Sequence, residues 1–345
     1  MQNNIYDIGI EKVLEDALYN EIPVSATIEL ATICNWRCKH CYIPQHNDKG
    51  MSFAQITSVL DELRDIGVFQ LVLTGGELLL RSDILDIVEY ARKKHFRVNI
   101  LSNASLVTEE IAARLAELYI TDYSLSIFSL NEEIHDGITN SKGSLKAALK
   151  GVEILNKYKI PIEIKTPLLS DNYKEFIKIK EFCDINGFTY STSPCIFPKI
   201  NGDMSPLDFS LDSHQLDEII ADADKAVNYK ALYEMPHYMC ATLRHSLAIS
   251  SNGDVFPCNS FYKKVGNVLE TSIKEIWSSE LYSSLRNLKN EDSKYCNDCE
   301  LVSFCERCPG TIYSETNDFY GCSAIGKNIA KARINNYKKV VMKND

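Results

Sequence analysis

The sequence has no long apolar run and no basic excess, and each absence removes a class of function. Nowhere does an apolar stretch reach the length of a membrane span. Residues 1–20 also lack the basic start and continuous apolar core of a signal peptide, so a cytoplasmic protein is expected. A formal net charge of -10 and a pI near 5.3 argue against a general nucleic-acid binder. A small molecule or a polypeptide is the expected partner, with no membrane involved. There is no internal repeat and no low-complexity segment. What remains is an ordinary globular composition, 45% hydrophobic and 24% charged over 345 residues, enough for two domains and a large core.

What the chain does have is cysteine. Twelve would suggest disulfides in a secreted chain, but in a reducing cytosol they read as metal ligands. They fall as three, two and seven. Cys34, Cys38 and Cys41 crowd into a short loop after the apolar, strand-like run Ala26 to Ile33. Three thiols do not complete the four-ligand set of structural zinc. A cubane cluster held by three thiolates leaves one iron without a protein ligand, and so open to chemistry. The plainer reading, three small hydrophobes in a core, sits poorly with the Asn, Trp, Arg, Lys and His between them.

Periodicity places a short amphipathic helix at Ile5 to Tyr19, and then strand and helix alternate. Strands are expected at Ala26 to Ile33, Gln70 to Leu73, Arg97 to Leu101, Asp122 to Ile127, Pro161 to Thr166 and Phe188 to Thr192. Helices are expected at Ser52 to Ile66, Ser82 to His95, Thr108 to Leu118, Ser144 to Tyr158 and Tyr173 to Asn186, with caps at Ser52, Ser82, Thr108 and Ser144. Six such units require a mainly parallel α/β sheet, for which a partial barrel and an open doubly wound sheet both fit. In either, ligands gather at the carboxyl ends of the strands. The cysteine loop lies at such an end, as do Thr74 to Glu77, Ser102, Asn103, Ser126, Lys165 and Thr166. The pattern breaks at Pro194, Pro198, Gly202 and Pro206. A helix is expected from Ser213 to Tyr229, then a turn at Met235-Pro236, and then seven cysteines with little regular periodicity.

The spacing C-x3-C-x2-C followed by Tyr42, with Gly75-Gly76-Glu77 after the second strand, closely resembles the radical S-adenosylmethionine (SAM) enzymes. The resemblance implies a partial (β/α)6 TIM-like barrel in which Cys34, Cys38 and Cys41 hold a [4Fe-4S] cluster that binds SAM. It places His40 beside the adenine, Gly75, Gly76 and Glu77 near the methionine amino group, and Ser102, Asn103 and Ser126 at the ribose or carboxylate. Each of those three polar residues reads equally as a strand-end cap.

The C-terminal cysteines resemble the SPASM domain, with Cys240, Gly253 and Cys258 opening it and Cys296, Cys299, Cys305, Cys308 and Cys322 closing it. The family more often has three residues, not two, between Cys305 and Cys308. By analogy Cys296, Cys299, Cys305 and Cys322 bind one auxiliary [4Fe-4S] cluster, and Cys240, Cys258 and Cys308 bind a second. The fourth ligand of the second is open: Cys195, a residue other than cysteine, solvent or the substrate. A zinc ribbon on Cys296, Cys299, Cys305 and Cys308 is the alternative, leaving Cys240, Cys258 and Cys322 without a task. Cys183, beside Phe182 in an apolar helix, reads as core. The segment from Ser126 through His135-Asp136-Gly137 to Gly143-Ser144 is similar to one in SPASM peptide maturases, or is a loop with a cap.

The expected division is a helical extension over 1–25, a radical SAM core over 26–199, a linker over 200–235, a SPASM domain over 236–325 and a C-terminal helix over 326–345. About 25 residues before the first strand leave no room for the peptide-recognition domain that many relatives carry. The implied chemistry is reductive cleavage of SAM to a 5'-deoxyadenosyl radical. The implied product is an oxidised, ribosomally made precursor peptide, crosslinked by a thioether or a carbon-carbon bond. A flavodoxin- or ferredoxin-type electron donor and a separate peptide-recognition protein are the further partners it admits. Alternatives are maturation of a sulfatase, modification of a cofactor precursor such as a tetrapyrrole, and a non-enzymatic metal scaffold. No general base can be named, because the register of Glu163, Lys165 and Tyr190 decides which of them points inward.

Overall fold

The computed structural model describes residues 5–223 and 238–341. Its frame is six parallel strands, β1 (Ser25–Glu29), β2 (Gln70–Thr74), β3 (Arg97–Leu101), β4 (Asp122–Ser126), β5 (Ile162–Pro167) and β6 (Thr189–Ser193), in sequential spatial order. After α1 (Ile5–Asn20), the crossovers carry α2 (Phe53–Asp65), α3 (Ile84–Lys93), α4 (Glu109–Glu117), α5 (Glu132–Thr139) with α6 (Ser144–Lys157), and α7 (Phe176–Asn186). A doubly wound sheet would reverse its strand order part-way. The sequential order is that of a partial barrel.

Alternation along the strands sorts the residues by face. Ala26, Ile28, Leu71, Leu73, Val98, Ile100, Tyr123, Leu125 and Ile164 are buried in the main core under the helices. The alternate positions turn inward and are largely polar. There Asn99 donates to Asp122 at 2.6 Å, while Ser124, Lys165 and Ser191 all donate to the Glu163 carboxylate. Register thus sends Glu163 and Lys165 to the lumen. Tyr190, opposite Ile164 in the ladder, goes to the helical side.

Beyond β1 the sheet continues. β7 (Ser246–Ile249) pairs in parallel with β1, Ser25 opposite Ser246, and an antiparallel β8 (Asp254–Phe256) and β9 (Gly266–Asn267) complete nine strands. The cysteine-rich region is therefore joined to the barrel by a backbone ladder. Strands of four, three and two residues are too short to show a period. Around them lie α9 (Ile273–Trp277), α10 (Glu280–Arg286) and α11 (Pro309–Thr316). α8 (Ser213–Ala223) packs with α12 (Ala324–Val341) through Leu216, Ile219, Ile220, Ile329 and Ala332, beside Leu168 and Phe176. The rest of the helix expected to Tyr229, and the Met235-Pro236 turn, lie outside the described residues.

Ser52 caps α2 in a reciprocal box with Gln55, and Thr108 caps α4. Ser82 and Ser144 do not cap; Asp83 and Gly143 hold those positions, and Ser144 sits inside α6 with its hydroxyl donating to Asp136. The first strand ends at Glu29 rather than Ile33, because the chain beyond it is bound by loops instead of a ladder. Among the described residues no helix is long and apolar enough to cross a membrane.

Candidate active site

The cysteine loop is gripped from two sides. On one, the last turn of α5 offers carbonyls: Thr139 accepts from Arg37 N–H and Ile138 from Lys39 N–H, both at 3.0 Å, and Asn140 Nδ2 donates to the Arg37 carbonyl. Trp36 is buried edge-on to His135, ring centres 5.7 Å apart. Asp136 fixes the corner between α5 and α6 by accepting from the Ser144 hydroxyl and the N–H groups of Gly143 and Leu145. The His135-to-Ser144 motif is thus a helix corner whose task is to hold the cysteines. On the other side, Thr32 and Ile33 donate to the Asp48 carbonyl, and Ser251 from the C-terminal region donates to the Asp48 carboxylate at 2.7 Å.

Gly75-Gly76-Glu77 docks directly against the start of that loop. Gly76 N–H donates to Ala31 O at 2.8 Å and Glu77 N–H to Ile33 O at 2.7 Å. Gly75 has a φ of 152°, and a Cβ on Gly76 would stand 2.1 Å from Ile33 O. The glycines are needed because two stretches of the chain's own backbone touch. Glu77 is fully buried behind them. Its carboxylate accepts from the Ser102 hydroxyl and from Leu79 and Asn103 N–H, so it ties the ends of β2 and β3 together. Ser102 also accepts from Tyr123, and Asn103 donates to Asn35 in the cysteine loop.

Cys34, Cys38, Cys41, His40, Gly75, Gly76, Ser102, Asn103 and Ser126 line one cavity of about 210 Å³; Glu77 does not. His40 is wedged against Phe128 at 5.1 Å with its Nδ1 buried and unpartnered, and burial pushes its pKa down to about 4. The ring is therefore neutral. Burial raises the pKa of all three thiols, Cys41 to about 11, and the neighbouring thiolates add to it at Cys38 and Cys41. His40, Tyr42, Thr74, Leu101 and Lys165 also line a second cavity of about 520 Å³ that runs on to Ser191, Cys195, Asn259 and Tyr262. Sequence reasoning did not single out the stacked Tyr42–Tyr262 pair, 6.3 Å apart, nor the 2.6 Å hydrogen bond from Tyr42 to the buried Glu29. A lone glutamate inside the apolar run from Ala26 was the available signal.

The C-terminal thiols form two groups. Cys296, Cys299, Cys305 and Cys322 line a cavity of about 270 Å³, at whose wall Cys195 and Cys308 also stand. Burial raises each of Cys195, Cys240 and Cys258, and Cys308 thiolate repulsion adds to all three. Cys305 is raised by burial and then by Cys296 and Cys322. Cys183 is fully buried in the main core, as its sequence context implies.

Residues 28–183 match the radical SAM superfamily, and residues 240–300 match SPASM, an iron-sulfur cluster-binding domain. The chain belongs to the radical SAM superfamily and carries a SPASM domain. It is 27% identical to the AdoMet-dependent heme synthase of Methanosarcina barkeri, over 84% of this chain and 92% of that protein. It is 25% identical to the antilisterial bacteriocin subtilosin biosynthesis protein AlbA of Bacillus subtilis, over 83% of this chain and 67% of that one. Its fold resembles Streptococcus suis SuiB bound to precursor peptide SuiA, with a TM-score of 0.70 at 19% identity, covering 95% of this chain and 82% of SuiB.

A radical SAM protein of this kind works with a [4Fe-4S] cluster that binds SAM and with auxiliary iron-sulfur clusters in its SPASM domain. The residues present fit those groups. Thiols that resist ionisation when bare suit a site where iron supplies positive charge. The orphaned His40 Nδ1 and the Gly75–Gly76 backbone flank the same cavity. The match to SPASM, an iron-sulfur cluster-binding domain, favours clusters over a zinc ribbon at the C-terminal cysteines.

Proposed function

We propose that this radical SAM enzyme oxidises a ribosomally made peptide, joining two side chains by a thioether or a carbon-carbon bond. The observation that supports this most is the position of β6. It is the terminal strand of the sheet, so its outer edge has no strand partner among the described residues, and Ser191, Thr192 and Ser193 line the 520 Å³ cavity. An extended peptide can add main-chain hydrogen bonds along such an edge and lay its side chains toward the lumen.

In this reading Cys34, Cys38 and Cys41 hold the first cluster. His40, Gly75, Gly76, Ser102, Asn103 and Ser126 face SAM, and Glu77 holds that wall from behind. Cys296, Cys299, Cys305 and Cys322 hold one auxiliary cluster, and Cys240, Cys258 and Cys308 belong to the other. When bound, the first cluster with SAM supplies a 5'-deoxyadenosyl radical, and the auxiliary clusters supply an electron sink. The chain's own contribution is enclosure: Trp36, Phe128 and Leu101 wall the cavity with apolar surface and exclude water from a reactive centre. Burial works to raise the Glu163 pKa, but hydrogen bonds from Ser124, Lys165 and Ser191 and the Lys165 charge outweigh it and leave the carboxyl below its ordinary value. Glu163 is thus an anion paired with Lys165 at 2.9 Å, shaping the lumen rather than serving as a free base.

A second reading, modification of a carboxylate-bearing tetrapyrrole, is favoured by the likeness to heme synthase across 92% of that protein. Against it, Lys165 is the one Lys or Arg among the described residues lining the larger cavity, and it is already paired. The test is incubation of reconstituted protein with SAM, dithionite and small peptides encoded beside its gene. A peptide lighter by two hydrogens per link is expected. An unchanged peptide, with loss of a carboxyl group from an added tetrapyrrole, would move the assignment to the second reading. Cys38→Ala should abolish deoxyadenosine release in either case.

A further inference from the structure

We propose that Cys195, contributed by the barrel, is the fourth ligand of the auxiliary cluster held by Cys240, Cys258 and Cys308, and that it closes this cluster to substrate thiols. The proposal rests on the cluster reading above and adds a ligand to it.

The first turn of α11 is the meeting point. Cys308 occupies the position just before it. Gly310 packs so closely on the loop of Cys258 that a Cβ there would stand 2.4 Å from Ser260 O. Thr311, buried in the same turn, has its hydroxyl 4.0 Å from Cys195 Sγ. Cys240 and Cys258 both pack on one apolar cluster with Leu243, Phe261 and Ile312 of that helix. Three thiols of the C-terminal domain thus gather about the start of α11, and the barrel supplies a fourth beside Thr311. Cys195 is held there by its position two residues past β6, where its N–H donates to Ser193 Oγ at 3.1 Å.

The same residue stands in the walls of both large cavities, the one shared with His40 and the one that Cys308 shares with Cys296, Cys299, Cys305 and Cys322. On ligation the Cys195 thiol gives its proton to solvent and forms one sulfur-iron bond, with no change in oxidation state. A cluster saturated by four thiolates exchanges electrons without bonding substrate. A thioether would then have to form without an iron-bound substrate sulfur.

The test uses the full chain carrying Cys34→Ala, Cys38→Ala and Cys41→Ala, so that only auxiliary iron remains, purified without oxygen. Brief iodoacetamide labelling, followed by denaturation, chelation and labelling with a heavier reagent, reports each cysteine by mass spectrometry. Cys195 should label about tenfold or more slowly with iron present than after native-state iron removal, in step with Cys240, Cys258 and Cys308. In parallel, Cys195→Ala should open an iron site, so that added 2-mercaptoethanol changes the reduced electron paramagnetic resonance spectrum; the parent should not respond, and Cys195→Ser should keep its iron. Iron-replete protein with freely labelled Cys195, or a parent spectrum that already responds to the thiol, overturns this proposal while leaving the clusters in place. A colourless, iron-free parent overturns the cluster reading, and this proposal with it.

Discussion

Glu77 offers the sharpest test of how the site is built, because the same residue could contact SAM or brace the wall behind it. The structure makes it a brace. Glu77→Ala strands two backbone donors, Leu79 N–H and Asn103 N–H, and the Ser102 hydroxyl loses its acceptor while still accepting from Tyr123. Leaving a buried donor unsatisfied costs about 1–3 kcal/mol each, so the two together cost about 2–6 kcal/mol. Removing a carboxyl whose pKa burial has raised returns part of that, and a net loss of about 3 kcal/mol is expected. Glu77→Gln keeps one acceptor oxygen and should lose about 1–2 kcal/mol. Because the folded pKa lies above the ordinary 4.5, the penalty of the ionised carboxyl is absent below that pH and grows as pH rises toward the folded value. The stability gap between wild type and Glu77→Gln should therefore narrow as pH is raised from 4.5. Urea unfolding of the SAM-free chain at several pH values measures this. Unchanged midpoints for both variants, with SAM affinity alone reduced, would refute the bracing role and return Glu77 to direct cofactor contact.

Other expectations concern the same scaffold. Gly76→Ala drives a Cβ to 2.1 Å from Ile33 O, backbone against backbone, and should cost about 1–3 kcal/mol and lower the iron held by the first site, read by metal analysis. Gly137→Ala, whose Cβ would meet nothing within 4 Å inside α5, is the contrast and should be stabilising by up to about 1 kcal/mol. Tyr42→Phe removes the 2.6 Å hydrogen bond to Glu29 and should cost about 1–3 kcal/mol. Burial raises the Glu29 pKa above 4.5, so that deficit should be small while the folded carboxyl is protonated and grow as pH rises past its raised folded pKa, as pH-dependent unfolding would reveal.

How far the chain could be read without coordinates differs by element. The six barrel strands were legible because each is long enough to alternate and the first five each lead into a helix with its own period. The three-cysteine loop was legible because its chemistry is carried by spacing over eight residues. α5 escaped notice: its eight residues hold a glycine and two interior polar groups, His135 and Asp136, which look like loop until the cysteine loop is packed on them. β7 to β9 escaped for shortness, and Tyr190 could be placed only once the ladder with β5 fixed its face.

Residue order alone determined that thiols would collect at the carboxyl ends of parallel strands, since hydrophobic period and cysteine spacing are local and survive any packing. Which groups share a wall is a matter of long-range contact. Only the tertiary structure turned Glu77 inward, pressed Gly76 onto Ile33, stacked Tyr42 on Tyr262 and carried Cys195 across to Thr311. Those pairings join residues from 25 apart, Glu77 with Ser102, to 220 apart, Tyr42 with Tyr262, and no local pattern encodes such contacts.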